Sequence, residues 1–132
     1  MSISSIRAAL KTGLQQIEGL HVYDKVPEKI EQFPACVITP KRGDYDLQST
    51  TSFAPELMVT LLIGRWGEIK EAQDKLDGYL MPTGSLSVKA AIEASGAADV
   101  VHVASFEDYG GIQFVQGGEV YLGCHFPVTI VV

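Results

Sequence analysis

The sequence predicts an α+β domain, a mostly antiparallel β-sheet with two main helices and one short helix packed on it. Apolar residues recur at helical spacing near the start of the chain and again over residues 69–80. Strand-like runs fill most of residues 20–40, 56–65 and 100–132. Between them, Pro82 and Gly84 cut one helical pattern into a longer and a shorter piece.

Ile3, Ile6, Leu10, Leu14 and Ile17 recur every three or four residues and Gly19 follows as a stop, which predicts a helix over 3–18. "LHVYDKVP" reads as a short strand, "EKIEQF" as a turn, and "PACVITP" as a second strand bounded by Pro34 and Pro40. Residues 41–53, "KRGDYDLQSTTSF", are polar and without apolar period, so they read as a long exposed loop. Loops of about 12 residues are uncommon in compact domains and are functional or disordered when they occur.

"ELMVTLLIGR" puts Leu57, Val59, Leu61 and Ile63 on one face and Met58, Thr60 and Leu62 on the other, the pattern of a central strand. Ile69, Ala72, Leu76, Tyr79 and Leu80 then share a stripe, predicting a second helix over about 67–80. Ser87 is placed to cap a third helix over 88–95, with Leu86 and Ala91 as a hydrophobic staple and Gly96 as its end. "DVVHVASF", "IQFVQ" and "EVYLGCHFPVTIVV" complete an antiparallel meander whose last turn falls at Gly117 and Gly118.

One domain spanning 1–132 is expected, since this length buries about two-thirds of the unfolded surface without a disulfide or metal. No apolar run approaches the roughly 18 residues of a membrane span, and no export signal is evident at the start, so a cytoplasmic setting is expected. The net charge of −6 and the lack of a Lys/Arg cluster argue against specific nucleic-acid binding. Cys36 and Cys124 lie in apolar strands and read as reduced, buried thiols.

Catalytic and metal chemistry find little support. Cys124 and His125 are strand neighbours and point to opposite faces, so they form no dyad. His102 and His125, in neighbouring elements of the meander, are close enough in this reading to approach each other, but no third ligand joins them. Asp44 and Asp46 are two carboxylates without a ligand frame, and "PTGSLS" lacks the full phosphate-loop pattern. Trp66, between Gly64 and Gly67, is either a lid on the core or an anchor for a partner. No catalytic, cofactor or metal residue is assigned, and an enzyme would have to use a dispersed site.

The order "IRAALKTGLQQIEGLHVYDKVPEKI", a proline-flanked strand, "VTLLIGR", "AQDKLDGYLMPTGSLSVKAAIEA" and "YLGCHFPVTIVV" resembles the tail terminator proteins of long-tailed bacteriophages over nearly the whole chain. The helix, Pro/Gly break and capped helix of "KLDGYLMPTGSLSVKAAIE" carry it most specifically. The resemblance implies a mixed sheet covered by helices and about six copies closing a ring. That ring would stop polymerisation at the head-proximal end of the tail tube and dock the head connector. Partners would be further copies of the chain, the major tail tube protein and the connector or stopper, with DNA only passing through. The setting would be the virion neck, and the host cytoplasm during assembly. The resemblance implies no cofactor or membrane, and six copies, each with a net formal charge of −6, would carry about −36 in all. Lys41, Arg42, Asp44, Tyr45, Asp46 and Trp66 are the candidate assembly interface. Another neck or tail-completion component is the alternative.

Overall fold

The computed structural model describes residues 3–25, 27, 30–45, 53–66, 72–98, 100–114 and 118–131, with the backbone alone at 41–45, 53–55, 72 and 131. Its elements are α1 (Ile3–Leu14), β1 (His21–Tyr23), β2 (Ala35–Tyr45), β3 (Phe53–Arg65), α2 (Ala72–Tyr79), α3 (Val88–Glu93), β4 (Val100–His102), β5 (Glu107–Ile112) and β6 (Tyr121–Val131). They form an α+β fold: a six-stranded mixed, mostly antiparallel curled sheet in the order β1-β2-β3-β6-β4, with β5 also on β6, and three helices.

Helix α1 buries Ile6, Leu10 and Leu14, as its spacing predicts. It stops at Leu14 rather than at 18. The next turn tightens into i→i+3 bonds, from Gln16 N to Gly13 O and from Ile17 N to Leu14 O, which still bury Ile17. Gly13 is required here, because a Cβ would lie 2.7 Å from the Ser95 Cβ after α3.

Helices and sheet share one large core containing Cys36, Ile38, Leu57, Val59, Leu61, Ile63, Cys124, Phe126, Val128 and Ile130. Ile30, Ala35, Val37, Leu62, Ile112 and Tyr121 form a second core on other sheet positions. In β2 the two cores take alternate residues, so "ACVI" is apolar throughout because both faces are covered. The cover comes from the crossover 24–34, which the parallel pairing of β1 with β2 makes necessary. Tyr121 Oη accepts a hydrogen bond from Ile30 N at 3.4 Å, and the Arg65 guanidinium lies 5.7 Å from the centre of the Phe33 ring.

Three expectations need correction. Pro40 does not end β2: the register with β3 shifts between Pro40 and Arg42, and pairing resumes as Arg42↔Glu56, Gly43↔Pro55, Asp44↔Ala54 and Tyr45↔Phe53. A bulge absorbs the missing N–H, so much of the expected loop is a two-stranded arm. Its remainder, 46–52, lies outside the described residues.

The C-terminal strands are not a meander. β4 pairs with β6 at Thr129, Ile130 and Val131, and β5 pairs with it from Tyr121 to His125, so the two lie end to end along one edge. The gap between them faces Pro127, which has no N–H to donate. Finally, the fifth strand is "EDYGGI" rather than "IQFVQ"; Val115 and Gln116 of that run, like Gly117 of the expected two-residue turn, lie outside the described residues. Asp108 at φ 56° and Gly110 at φ 146° interrupt the strand, which explains why it lacks alternation.

The helix limits also differ. α2 is described from Ala72, with 67–71, including Ile69, outside the described residues, and α3 ends at Glu93, followed by Ala94 as C-cap and Gly96 at φ 69°.

The β3–β6 ladder depends on Gly123, where any Cβ would overlap the Leu61 carbonyl. Gly123→Ala is expected to cost about 1–3 kcal/mol or more through backbone displacement. In α2, by contrast, the nearest atom to a Cβ on Gly78 is a Leu86 methyl at 3.9 Å. Gly78→Ala should stabilise by about 0.5–1 kcal/mol. Urea melts of both variants check the pair: a Gly123→Ala protein as stable as wild type would refute the close approach.

Candidate functional site

The interface residues expected from sequence are not brought together. Lys41, Arg42, Asp44 and Tyr45 lie on the β2 half of the arm, and Asp46 falls outside the described residues. Trp66 follows the far end of β3, thirteen residues beyond Phe53. At about 3.3 Å per residue the two places are roughly 40 Å apart. The candidate residues therefore fall in two separate places.

Trp66 is an exposed group, 58% accessible, so the lid reading fails for its ring. Its N–H donates to Val120 O at 2.9 Å, anchoring the backbone. A Cβ on Gly111 would touch the ring at 3.6 Å and the Val120 side chain at 3.0 Å, so Gly111 leaves a shallow seat between them. Phe106, Tyr109 and Val120 are also large, apolar and exposed, and sequence reasoning missed all three. Each sits in or beside β5, the strand without a readable pattern. Tyr109 Oη donates to Asp77 Oδ1 at 3.0 Å, tying β5 to α2.

The break between α2 and α3 is built on one side chain. Buried Ser87 accepts from Ala90 N at 3.1 Å, capping α3, and donates to Met81 O at 2.6 Å, fixing the preceding turn. This occupies the helix start that "PTGSLS" offered to a phosphate. Leu86, the expected staple residue, is 40% exposed.

Leu80, Pro82, Lys89, Val103, Phe106 and Phe126 line a groove of about 340 Å³ between this junction and the β4–β5 link. One wall is held by Glu93, whose Oε2 accepts from Lys89 Nζ at 2.6 Å and Val103 N at 3.0 Å and lies 3.0 Å from His102 Nδ1. The Lys89 hydrogen bond, then that of Val103, holds the Glu93 carboxyl below the usual carboxylate range against the opposing effect of burial.

The histidines are separate. His102 stands opposite Thr129 and His125 opposite Thr60 and Glu107, so four residues of β6, about 13 Å, lie between their levels. The Thr60 hydroxyl is 2.8 Å from His125 Nδ1, while Cys124 faces the core. Among the described residues no three His, Cys, Asp or Glu side chains are grouped to hold a metal ion.

Cys36 and Cys124 flank Leu61 in register, two strand spacings or nearly 10 Å apart, too far for a disulfide. Burial pushes the Cys124 thiol up to about 12 and raises Cys36 further.

Glu93→Ala should cost about 1–3 kcal/mol at neutral pH, because it strands the Val103 N–H and frees the α3 end from β4. The depressed carboxyl contributes stability above its unfolded value, near 4.5, and loses it as pH falls through the lower folded value. Urea melts at pH 7 and pH 3 should therefore show the variant's deficit shrinking in acid. An equal deficit at both would refute the charge contribution.

No protein-family model matches the chain, and a search of curated proteins finds no significant relative.

Proposed function

We propose that this protein is a structural subunit of a phage tail, a tail terminator that forms a ring on the head-proximal end of the tail tube. The ring stops tube growth and presents a docking surface to the head connector. It acts by contact and has no catalytic role.

The observation that carries the reading is that the sheet ends on two unlike open edges. On one side β1 covers only Ala35, Cys36 and Val37 of β2, leaving 38–45 without an outer strand among the described residues. On the other side, β4 and β5 have only β6 as partner. Unlike edges favour heterologous contacts, in which one surface of each copy meets a different surface of the next, and such contacts close into rings. The order of elements, including the capped break at Ser87, supports the same reading through its resemblance to tail terminators. An acidic chain with net charge −6 suits a channel that DNA must pass without sticking.

The test is genetic and visual. Removing the gene from the phage or prophage that encodes it should give tails of uncontrolled length that fail to join heads, as seen by electron microscopy. Normal tails on normal heads would refute the proposal. A second variant replaces residues 43–55 with Asn-Gly, closing the strands by a two-residue turn between Arg42 and Glu56. It should accumulate as folded protein with a melting temperature near wild type, since every core residue among the described side chains lies outside 43–55. It should not restore tail length. Full rescue would remove the arm from the assembly surface.

A further inference from the structure

We infer that the ring closes by strand addition: the outer edge of β2 around 41–45 in one copy pairs with the outer edge of β5 (Glu107–Ile112) in the next. This rests on the ring reading and specifies its subunit contact.

Three observations lead to it. The first is exposure. Of the seven large hydrophobic side chains exposed among the described residues, four lie on or against β5: Phe106 immediately before it, Tyr109 within it, and Trp66 and Val120 over Gly111. Clustered exposed aromatic groups mark a contact surface, and Trp and Tyr supply most of the hot spots in measured interfaces.

The second is charge. Residues 41–45, "KRGDY", hold two cations and one anion and so a net positive charge, whereas "EDYGGI" of β5 holds two anions and no cation, in a chain that has only 10 basic residues. Arg42 has Glu56 opposite it on β3, while Lys41 falls in the bulge with no register partner. Pairing β2 with β5 sets unlike charges together. Pairing β2 with β2, or β5 with β5, sets like charges together and is opposed.

The third is the backbone. Pro40 and the bulge remove regular bonding before Arg42, so the pairable stretch of β2 is about as short as the six residues of β5. Neither edge offers the long flat template that leads to uncontrolled association.

Charge reversal tests this with purified full-length protein. Lys41→Glu with Arg42→Gln gives a chain acidic at both edges. Glu107→Lys with Asp108→Asn gives one whose β5 edge is basic, and Asn tolerates the positive φ at 108. In sedimentation velocity at low ionic strength, wild type should associate and each variant alone should associate at least about tenfold more weakly. An equimolar mixture of the two should recover association by alternating. Wild-type protein that stays monomeric at every concentration, variants that associate like wild type, or a mixture that does not recover would each overturn the proposal.

If a reversal variant does not fold, a Cys pair decides. Lys41→Cys with Glu107→Cys in one chain should give a ladder of disulfide-linked oligomers on oxidation, and neither single variant should. Dimers from Lys41→Cys alone would assign a β2–β2 contact instead. Buried Cys36 and Cys124 do not interfere. Because these readouts use protein in solution, they separate from the tail phenotype: edge pairing with normal tails in the gene deletion sinks the terminator role alone.

Discussion

The close approach of β6 to β3 at Gly123 and Leu61 joins two halves of the sheet that, among the described residues, pair through no other strands. β1, β2 and β3 lie on one side of this ladder, and β4, β5 and β6 on the other. Its pairs run from Glu56↔Thr129 to Arg65↔Tyr121, so the chain must bring together segments more than fifty residues apart before the sheet exists. Helices α2 and α3 lie between those segments in sequence and cover the joint in space, since Leu76, Val88 and Ile92 share the core with Leu61 and Phe126. Strand alternation puts Leu61 and Ile63 in that core while Leu62 serves the other, and the register with β6 shifts between Leu62 and Gly64. The ladder therefore sets the register of both hydrophobic layers at once.

What was legible in the sequence was whatever one face of an element imposes on its own residues. The α1 stripe, the alternation of β3 and the cap at Ser87 are local patterns, and the structure places Leu10, Val59 and Ser87 where those patterns require. The paired aliphatic run of β2 was legible too, though its partner layer was not. The crossover 24–34 looks like a turn because, among its described residues, only Ile30 and Phe33 mark its contact with the second core. What stayed hidden depends on partners distant in the chain. Pro40 looks like a strand end until β3 is present to hold the strand beyond it. "EDYGGI" has no alternation, and only β6 on one side makes it a strand.

The candidate interface was half legible for the same reason. Trp66 stood out as a lone Trp between glycines, and the structure exposes it. Its companions Phe106, Tyr109 and Val120 are separated from it by 40 to 54 residues, and only the fold puts them along one edge. Lys41 and Arg42 were grouped with Trp66 as a single surface, but β3 holds them at opposite ends. That separation changes the geometry of assembly. A single patch would suit a two-fold dimer, while two remote unlike patches suit a head-to-tail series.

In the proposed ring, each contact is small and polar at its rim, so a pair of copies gains little over the entropy lost on association. The final copy differs, because it meets two neighbours already held at fixed spacing and its second contact forms at high effective concentration. Closure then contributes more stability than any single contact, and an open chain of copies is disfavoured against a complete ring. A tube end that gathers copies at the right spacing lowers the same entropic cost for every contact. Weak edges with opposite charges and short pairable stretches are what such a device requires. Strong edges would let copies polymerise in the absence of a tube, and the bulge at Pro40, the positive φ of Asp108 and the three-residue length of β4 all keep the edges weak.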